Sequence, residues 1–463
     1  MRTQPVDDTG AVLVLGAGVA GLTAALRLAD AGLRPVVLEA AKTAGGRARS
    51  HPDPGGHEEL DNGPHLLMGA YTHTLQLLDR LGSRSQLLEV ETPRFTFWDR
   101  VQGWQQLRCP DWPAPWHLLA ALARFAPLTA GDKWTAVRLL PALLFDHATE
   151  LEQQSVTQWL AAHRQSAALC QRLWYPLCLA TLNEPAGSAN AGLFATVLRR
   201  LFLTDRQAAS PLWPVVPLSH LIAIPAQEAI RRAGGAIRYQ CRVQQLTFAG
   251  QTLQAVHTSR GSWHAPRAVV SALPGAALAR LLPDWAASCQ LTALQTAPIV
   301  SVHLTYPVPA TLPAPMVGLP GESSQWLLDR NRIAYRDPVE GLEPGRAVPY
   351  VDGRFSAVLS GAYRECHWPA AELVRVVHQD LVRLLPSLAP LVPTMARVSK
   401  MHHATFAPWP GSSRYRPGSR TPWQNFCLAG DWTATGLPAT LEGAAQSGID
   451  AAEKILDLLA CER

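Results

Sequence analysis

Three glycines and one carboxylate open the chemistry of this chain. Gly16, Gly18 and Gly21 stand in G-x-G-x-x-G spacing, and Glu39 follows them. Such a turn serves a diphosphate: Gly16 permits the sharp bend, Gly18 lets the anion approach the backbone, and Gly21 allows close packing of a helix whose free N–H groups and dipole face the negative charge. Glu39 is spaced to accept hydrogen bonds from ribose hydroxyls and would repel a 2′-phosphate, which disfavours NADP and leaves FAD or NAD. The run Gly45-Gly46-Arg47-Ala48-Arg49 adds backbone freedom and fixed cations beside the same pyrophosphate. Far along the chain, Gly430-Asp431 closes a short apolar run that begins at Phe426.

The elements that must position these residues follow from the apolar pattern. Ala11–Leu15 is expected as a strand, and Leu22–Ala31 as a helix with Leu22, Ala25, Leu26, Leu28 and Ala29 on its buried side. Gly32 stops that helix, and Pro35–Leu38 is expected as a second, parallel strand, which completes a βαβ unit. Further on, a helix ends at 229–233, Gly234-Gly235 turns the chain, 236–243 is expected as a strand, 246–257 as a hairpin around Ala249-Gly250, and 268–274 returns to the core. A last helix is expected over about 441–459. The fold class is therefore α/β, with a Rossmann-like dinucleotide domain carrying helices on both faces of a mostly parallel sheet.

Composition narrows the function. The chain has 463 residues and a formal charge of +5 with no Lys/Arg block, so the footprint of a nucleic-acid binder is missing. Its eight cysteines show no CxxC spacing, as expected of thiols in a reducing compartment and not of a zinc site, and no metal is expected. The start of the chain carries Asp7 and Asp8 and lacks the apolar core of a signal peptide. No uncharged apolar run reaches the ~18–20 residues of a membrane span, so a cytoplasmic protein is expected, with any membrane contact peripheral, on the inner face of the cell membrane. Trp112 to Phe145 is expected as amphipathic helices with Trp, Leu and Phe on one side and Arg124, Lys133 and Arg138 on the other. Periodicity does not distinguish a core-facing side from a lipid-facing one.

Glu39 with Gly45, Gly46 and Arg47 resembles the FAD-binding start of the amine oxidase and phytoene desaturase superfamily, and Gly430-Asp431 with the helix behind it resembles that superfamily's second flavin segment. The resemblance implies FAD. It implies that Asp431 accepts a bond from a ribityl hydroxyl, that the backbone of Val243 contacts the adenine, and that Ala439 and Thr440 lie at a helix N-terminus aimed at the flavin edge, where a dipole stabilises an anionic reduced ring. A discontinuous FAD domain of residues 1–90, 216–290 and 400–463 is expected, interleaved with a helix-rich α+β substrate domain of 91–215 and 291–399.

Leu60–Tyr71, Trp174–Leu177 with Leu182-Asn183, and Gly430–Ala444 narrow the likeness further, and resemble the hydroxysqualene dehydroxylase family, the squalene-associated FAD-dependent proteins of bacterial hopanoid biosynthesis. That implies reduction of an allylic C30 alcohol to squalene, a long-chain isoprenoid substrate, and an unidentified electron donor for the flavin. The departing oxygen needs a proton, and the loop that follows the FAD segment offers His65 first, then Asp61 and Tyr71. The tryptophan-rich segments are expected to supply apolar walls. Two rivals remain: a phytoene-type desaturase running hydride toward the flavin, and a non-catalytic prenyl carrier, which has no need of a complete pyrophosphate and ribityl site.

Overall fold

The computed structural model describes residues 10–53, 58–89, 93–334 and 351–461; Asp7 and Asp8 lie outside them. Five parallel strands form the first sheet, in the spatial order Ala236–Arg238, Pro35–Leu38, Val12–Leu15, Ala268–Ser271 and Phe426–Leu428. Val12, Leu13, Val14 and Leu15 are all buried, as a strand covered on both faces requires. Val12 and Val14 share one buried cluster with helices Val19–Asp30, Ile224–Arg232 and Leu441–Cys461. The first and last of these helices lie backbone to backbone: a Cβ on Gly448 would stand 2.4 Å from the Ala20 carbonyl.

The opposite face corrects the expectation of helices on both sides. Leu13, Leu15 and Val269 share their cluster with Leu246, Leu253 and Val256, which belong to an antiparallel meander of Val243–Ala249, Thr252–Thr258 and Gly261–His264. The strand expected over 236–243 is divided, because Gln240 turns the chain at φ 54°. Ala236–Arg238 stays in the parallel sheet and Val243 opens the meander.

A second large sheet has seven strands, ordered Met395–Phe406, Thr296–Tyr306, Gly353–Ser360, Trp326–Asp329, Met316–Gly318, Arg94–Asp99 and Gly103–Arg108. Its edge strand Met395–Phe406 crosses the expected boundary at residue 400. Val300, Val302, Leu304 and Phe355 of this sheet pack in one cluster with Leu373, Val377 and Leu381 of helix Ala370–Leu384. The opposite face is free to line a cavity, and helices between Trp116 and Phe202 close that cavity from the far side.

Candidate active site

Gly16, at the carboxyl end of its strand, takes φ 101°, and its N–H donates to the Leu38 carbonyl at 2.8 Å. A Cβ on Gly21 would stand 2.0 Å from the Gly16 oxygen, so the helix seats against the turn only with glycine there. Gly18 caps helix Val19–Asp30 without offering a side chain to its free N–H groups, and a Cβ on it would meet no protein atom within 4 Å. Gly46 closes over it, its own Cβ position 3.1 Å from the Gly18 Cα. Gly45, at φ 107°, donates its N–H to Ala17 at 2.8 Å. The Glu39 carboxylate accepts from the N–H groups of Ala17 and Ala41, each at 2.7 Å, which fixes it beside the glycine turn with lone pairs to spare for a diol.

Asp431 reaches the same place from the other end of the chain. Its strand lies two places from Val12–Leu15 in the sheet, a separation of about 10 Å. Arg47 bridges the gap: its guanidinium donates to the Asp431 carboxylate and, at 2.7 Å, to the Ala404 carbonyl. Asp431 is 5% exposed while the Arg47 side chain remains 45% accessible in the cavity wall, a cation left open to a bound anion.

Two residues that the sequence did not single out build this end of the site. Arg416, buried, donates to the carbonyls of Asp431 (3.1 Å) and Thr433 (2.5 Å) and to the Thr435 hydroxyl (3.1 Å), with its guanidinium 4.3 Å above the Phe406 ring. Burial lowers its pKa to about 10. Glu442, 2% exposed, accepts from the N–H groups of His73 and Thr74 at the start of helix Thr72–Leu81, and so ties that helix to the last one. Its carboxylate supplies the cap that Tyr71, at the N-cap position, does not. An acidic residue in the first turn of a long helix was the available signal for Glu442; Arg416 sits in a Pro-Gly-rich stretch that carries none.

The cradle opens into a cavity of about 1380 Å³, larger than the ~300–1,000 Å³ of an ordinary single-ligand pocket, so a dinucleotide leaves room for a second body. Gly16, Gly18, Glu39, Arg47, Val243, Asp431, Ala439 and Thr440 line it. Alternate residues of the seven-stranded sheet form one wall, and the strand order makes that wall graded. On the three strands nearest Arg47, His403, Thr405, Thr296 and Ser360 are interspersed with the apolar Met401, Ile299, Val358 and Phe406; the lining residues of the strands beyond, Leu328, Trp326, Met316, Phe97 and Leu107, are all apolar. Leu118, Leu122, Leu139, Leu143 and Leu177 face them from the helices.

Leucine, not tryptophan, therefore walls the cavity; Trp174, Trp326 and Trp432 are the three tryptophans among its lining residues. Trp116 and Trp134 are 59 and 60% exposed on these helices, Leu144 and Phe145 are exposed there too, and Trp112, 48% exposed, stands just before the first of them. The single apolar side expected for 112–145 is thus two sides, an inner leucine face and an outer aromatic one.

The three candidate acids separate. Asp61 does not line the cavity: its Oδ1 accepts from Ser50 Oγ at 2.6 Å and Leu218 N at 3.0 Å, and burial raises its pKa. It anchors its loop to residues 217–219 and does not reach the reacting space, which corrects the expectation for it. Tyr71 lines the cavity, and burial with the nearby Glu442 raises its pKa, so its phenol keeps its proton. His65 lines the cavity with Nδ1 2.6 Å from the Gly63 carbonyl. A carbonyl only accepts, so Nδ1 carries the proton and Nε2 is the exchangeable position. Behind this loop Gly63 packs on strand Thr296–Tyr306, its Cβ position 3.1 Å from Ser301 Oγ. On the same strand, burial together with Arg330 and Arg397 lowers the pKa of His303 to about 3.

An open space over an uncapped helix start, a carboxylate for a diol and an accessible guanidinium fit a dinucleotide's ribose and diphosphate. The chain belongs to the flavin containing amine oxidoreductase family, whose model matches residues 19–456. It is an FAD-dependent oxidoreductase. Within that class it is 32% identical to hydroxysqualene dehydroxylase of Rhodopseudomonas palustris over 96% of this chain and 98% of the relative. It is 26% identical to 15-cis-phytoene desaturase of Synechococcus elongatus, over 96% and 95%. Among solved structures, cyclohexylamine oxidase of Brevibacterium oxydans superposes with a TM-score of 0.70 at 18% identity, covering 98% of this chain and all of the other, and shows the shared fold.

Proposed function

We propose that this chain reduces hydroxysqualene to squalene. The graded cavity carries the reading: the end at Arg47 and Asp431, which adjoins the dinucleotide cradle, carries polar groups among apolar ones, and the far end of the sheet wall is wholly apolar. Kinship favours the dehydroxylase, at 32% identity, over the desaturase, at 26%. Bound and reduced, FAD supplies a hydride to carbon. The allylic C–O bond breaks, and the oxygen leaves as water once it has taken a proton.

His65 is the group proposed to give that proton, from Nε2 of its imidazolium, while the Gly63 carbonyl holds the ring by Nδ1. Tyr71, protonated and in the same wall, is the proposed second donor. Gly16, Gly18, Gly21, Gly45, Gly46 and Arg47 are proposed to hold the diphosphate and Glu39 the ribose. Val243 is assigned to the adenine, Gly430 and Asp431 to the ribityl chain, and Ala439 and Thr440 to the flavin edge. The division into residues 1–90, 216–290 and 400–463 for FAD, and 91–215 and 291–399 for substrate, accompanies this assignment.

The outer aromatic face supports a further partner, the inner face of the cell membrane. Trp116, Trp134 and Phe145 project from helices whose inner faces line the cavity, which gives a hydrocarbon a short path from lipid to site. Among the described residues no helix is long and apolar enough to cross a membrane. An external electron donor must restore the reduced flavin after each turnover.

Photoreduced, FAD-loaded protein mixed anaerobically with hydroxysqualene tests the reaction. Squalene formed in step with flavin reoxidation is expected. Oxidised protein that desaturates phytoene while reduced protein leaves hydroxysqualene intact would replace the reading with the desaturase; a colourless protein that cannot be reconstituted would replace it with the carrier.

A further inference from the structure

The strand Met395–Phe406 pairs regularly with Thr296–Tyr306 except at one place. Ala297 pairs with Thr405 and Ile299 with Met401, so His402, His403 and Ala404 all stand opposite Pro298. Pro298 has no N–H to give to the ladder, which leaves this bulge without pairing there. Two contacts from outside the strand pair and one from within it hold the bulge or start beside it. Arg47 donates to the Ala404 carbonyl at 2.7 Å, Asn183 Nδ2 donates to Thr405 Oγ1 at 2.9 Å, and Thr296 Oγ1 lies 2.8 Å from His403 Nδ1. The bulge turns His403 into the cavity at its polar end, next to Arg47. No partner for His403 Nε2 is present among the described residues.

The two cavity histidines differ in what holds them. His65 leans on a carbonyl, which only accepts, so its neutral ring presents a bare Nε2 that can take a proton or a hydrogen bond but cannot donate one. His403 leans on a hydroxyl, which both donates and accepts. Thr296 can donate to Nδ1 of a neutral ring, which puts the ring proton on Nε2, and accepts from Nδ1 of a charged one; in each of these states Nε2–H is a donor, which the carbonyl-held neutral ring of His65 does not offer. We infer that His403, presented by the bulge and oriented by Thr296, is the residue that recognises the substrate's hydroxyl: Nε2–H donates to the alcohol oxygen and makes the cavity select an allylic alcohol over a hydrocarbon of the same length. This rests on the dehydroxylase reading and adds to it the residue that sets specificity.

The test is binding without turnover. Protein carrying oxidised FAD has no hydride to give, so hydroxysqualene and squalene can each be titrated against it and followed by the change in flavin absorbance. Wild type is expected to bind the alcohol more tightly than the hydrocarbon. His403→Phe is expected to lower that preference about tenfold, the loss of one hydrogen bond to the alcohol, with squalene affinity and FAD content unchanged. Thr296→Val, which leaves the ring in place but unheld, is expected to lower it by a smaller factor, and His403→Gln, which keeps an N–H donor, to retain most of it. An FAD-loaded His403→Phe or Thr296→Val protein with the full wild-type preference would overturn the inference. Wild type that converts hydroxysqualene while these variants keep the preference rejects His403 alone, whereas wild type that converts none rejects the reaction itself.

Discussion

Gly18 and Gly21 are three residues apart in one turn, yet the structure gives them different reasons to be glycine. Gly18 has φ −74°, which alanine adopts freely, and its Cβ would meet nothing in the protein. Gly18→Ala is therefore expected to leave the cofactor-free fold within about 0.5 kcal/mol of wild type. The added methyl points instead at the space assigned to the diphosphate, and overpacking of that kind costs about 1–3 kcal/mol, or about 5- to 150-fold in FAD affinity. Gly21→Ala drives its methyl to 2.0 Å from the Gly16 oxygen and 3.1 Å from the Ala272 side chain. The helix must move off the turn, and a loss of several kcal/mol is expected even without cofactor. Urea unfolding of the stripped proteins and fluorescence titration with FAD separate the two costs. If Gly18→Ala binds FAD like wild type, or unfolds as readily as Gly21→Ala, the open space above Gly18 is not where the diphosphate sits.

Other outcomes are expected elsewhere. Arg416→Met removes the donor shared by the Asp431 and Thr433 carbonyls; charge-assisted bonds offset by the cost of burying the cation leave about 3 kcal/mol, so FAD affinity should fall by up to about 100-fold, with Arg416→Lys in between. His303 holds its proton only below about pH 3 in the fold but below about 6.5 when unfolded, so the unfolded chain binds the extra proton between those values and stability falls as pH drops through them, by about 1.4 kcal/mol per unit. His303→Gln should lose that portion of the slope in urea midpoints measured from pH 7 to 5. Replacing Trp116, Trp134 and Phe145 together by Ser should reduce sedimentation with anionic phospholipid vesicles at least tenfold and leave FAD content unchanged; undiminished sedimentation would remove the membrane from the proposal.

The glycine turn was legible because Gly16 and Gly21 each answer a local demand. A φ of 101° at Gly16 or a 2.0 Å approach at Gly21 excludes other residues at fixed spacing, and spacing is what a sequence displays. Arg416 and Glu442 act through partners fixed only by the tertiary fold; the place of Glu442 in the first turn of a long helix marks the residue but not its partners, and nothing near Arg416 marks it at all. The helices of 112–145 misled for another reason. Leucine and tryptophan are both apolar, and periodicity does not tell a face that meets a cavity from one that meets the outside. Asp61 was chosen by its place in a loop, but its neighbours Ser50 and Leu218 had already engaged its oxygen. The bulge at His402–Ala404 depends on Pro298, a residue from a different strand.

The bond between Arg47 and Asp431 has a consequence for how the molecule is made. On the ribosome, residue 47 emerges long before residue 431, and until Phe426–Leu428 arrives the strand Ala268–Ser271 presents an unpaired parallel edge to the cell. The two halves of the proposed flavin cradle meet only once Phe426–Leu428 has paired and helix Leu441–Cys461 has settled against Val19–Asp30. Pairing of Phe426–Leu428 therefore does two things at once: it covers the edge of Ala268–Ser271 and carries Asp431 to Arg47.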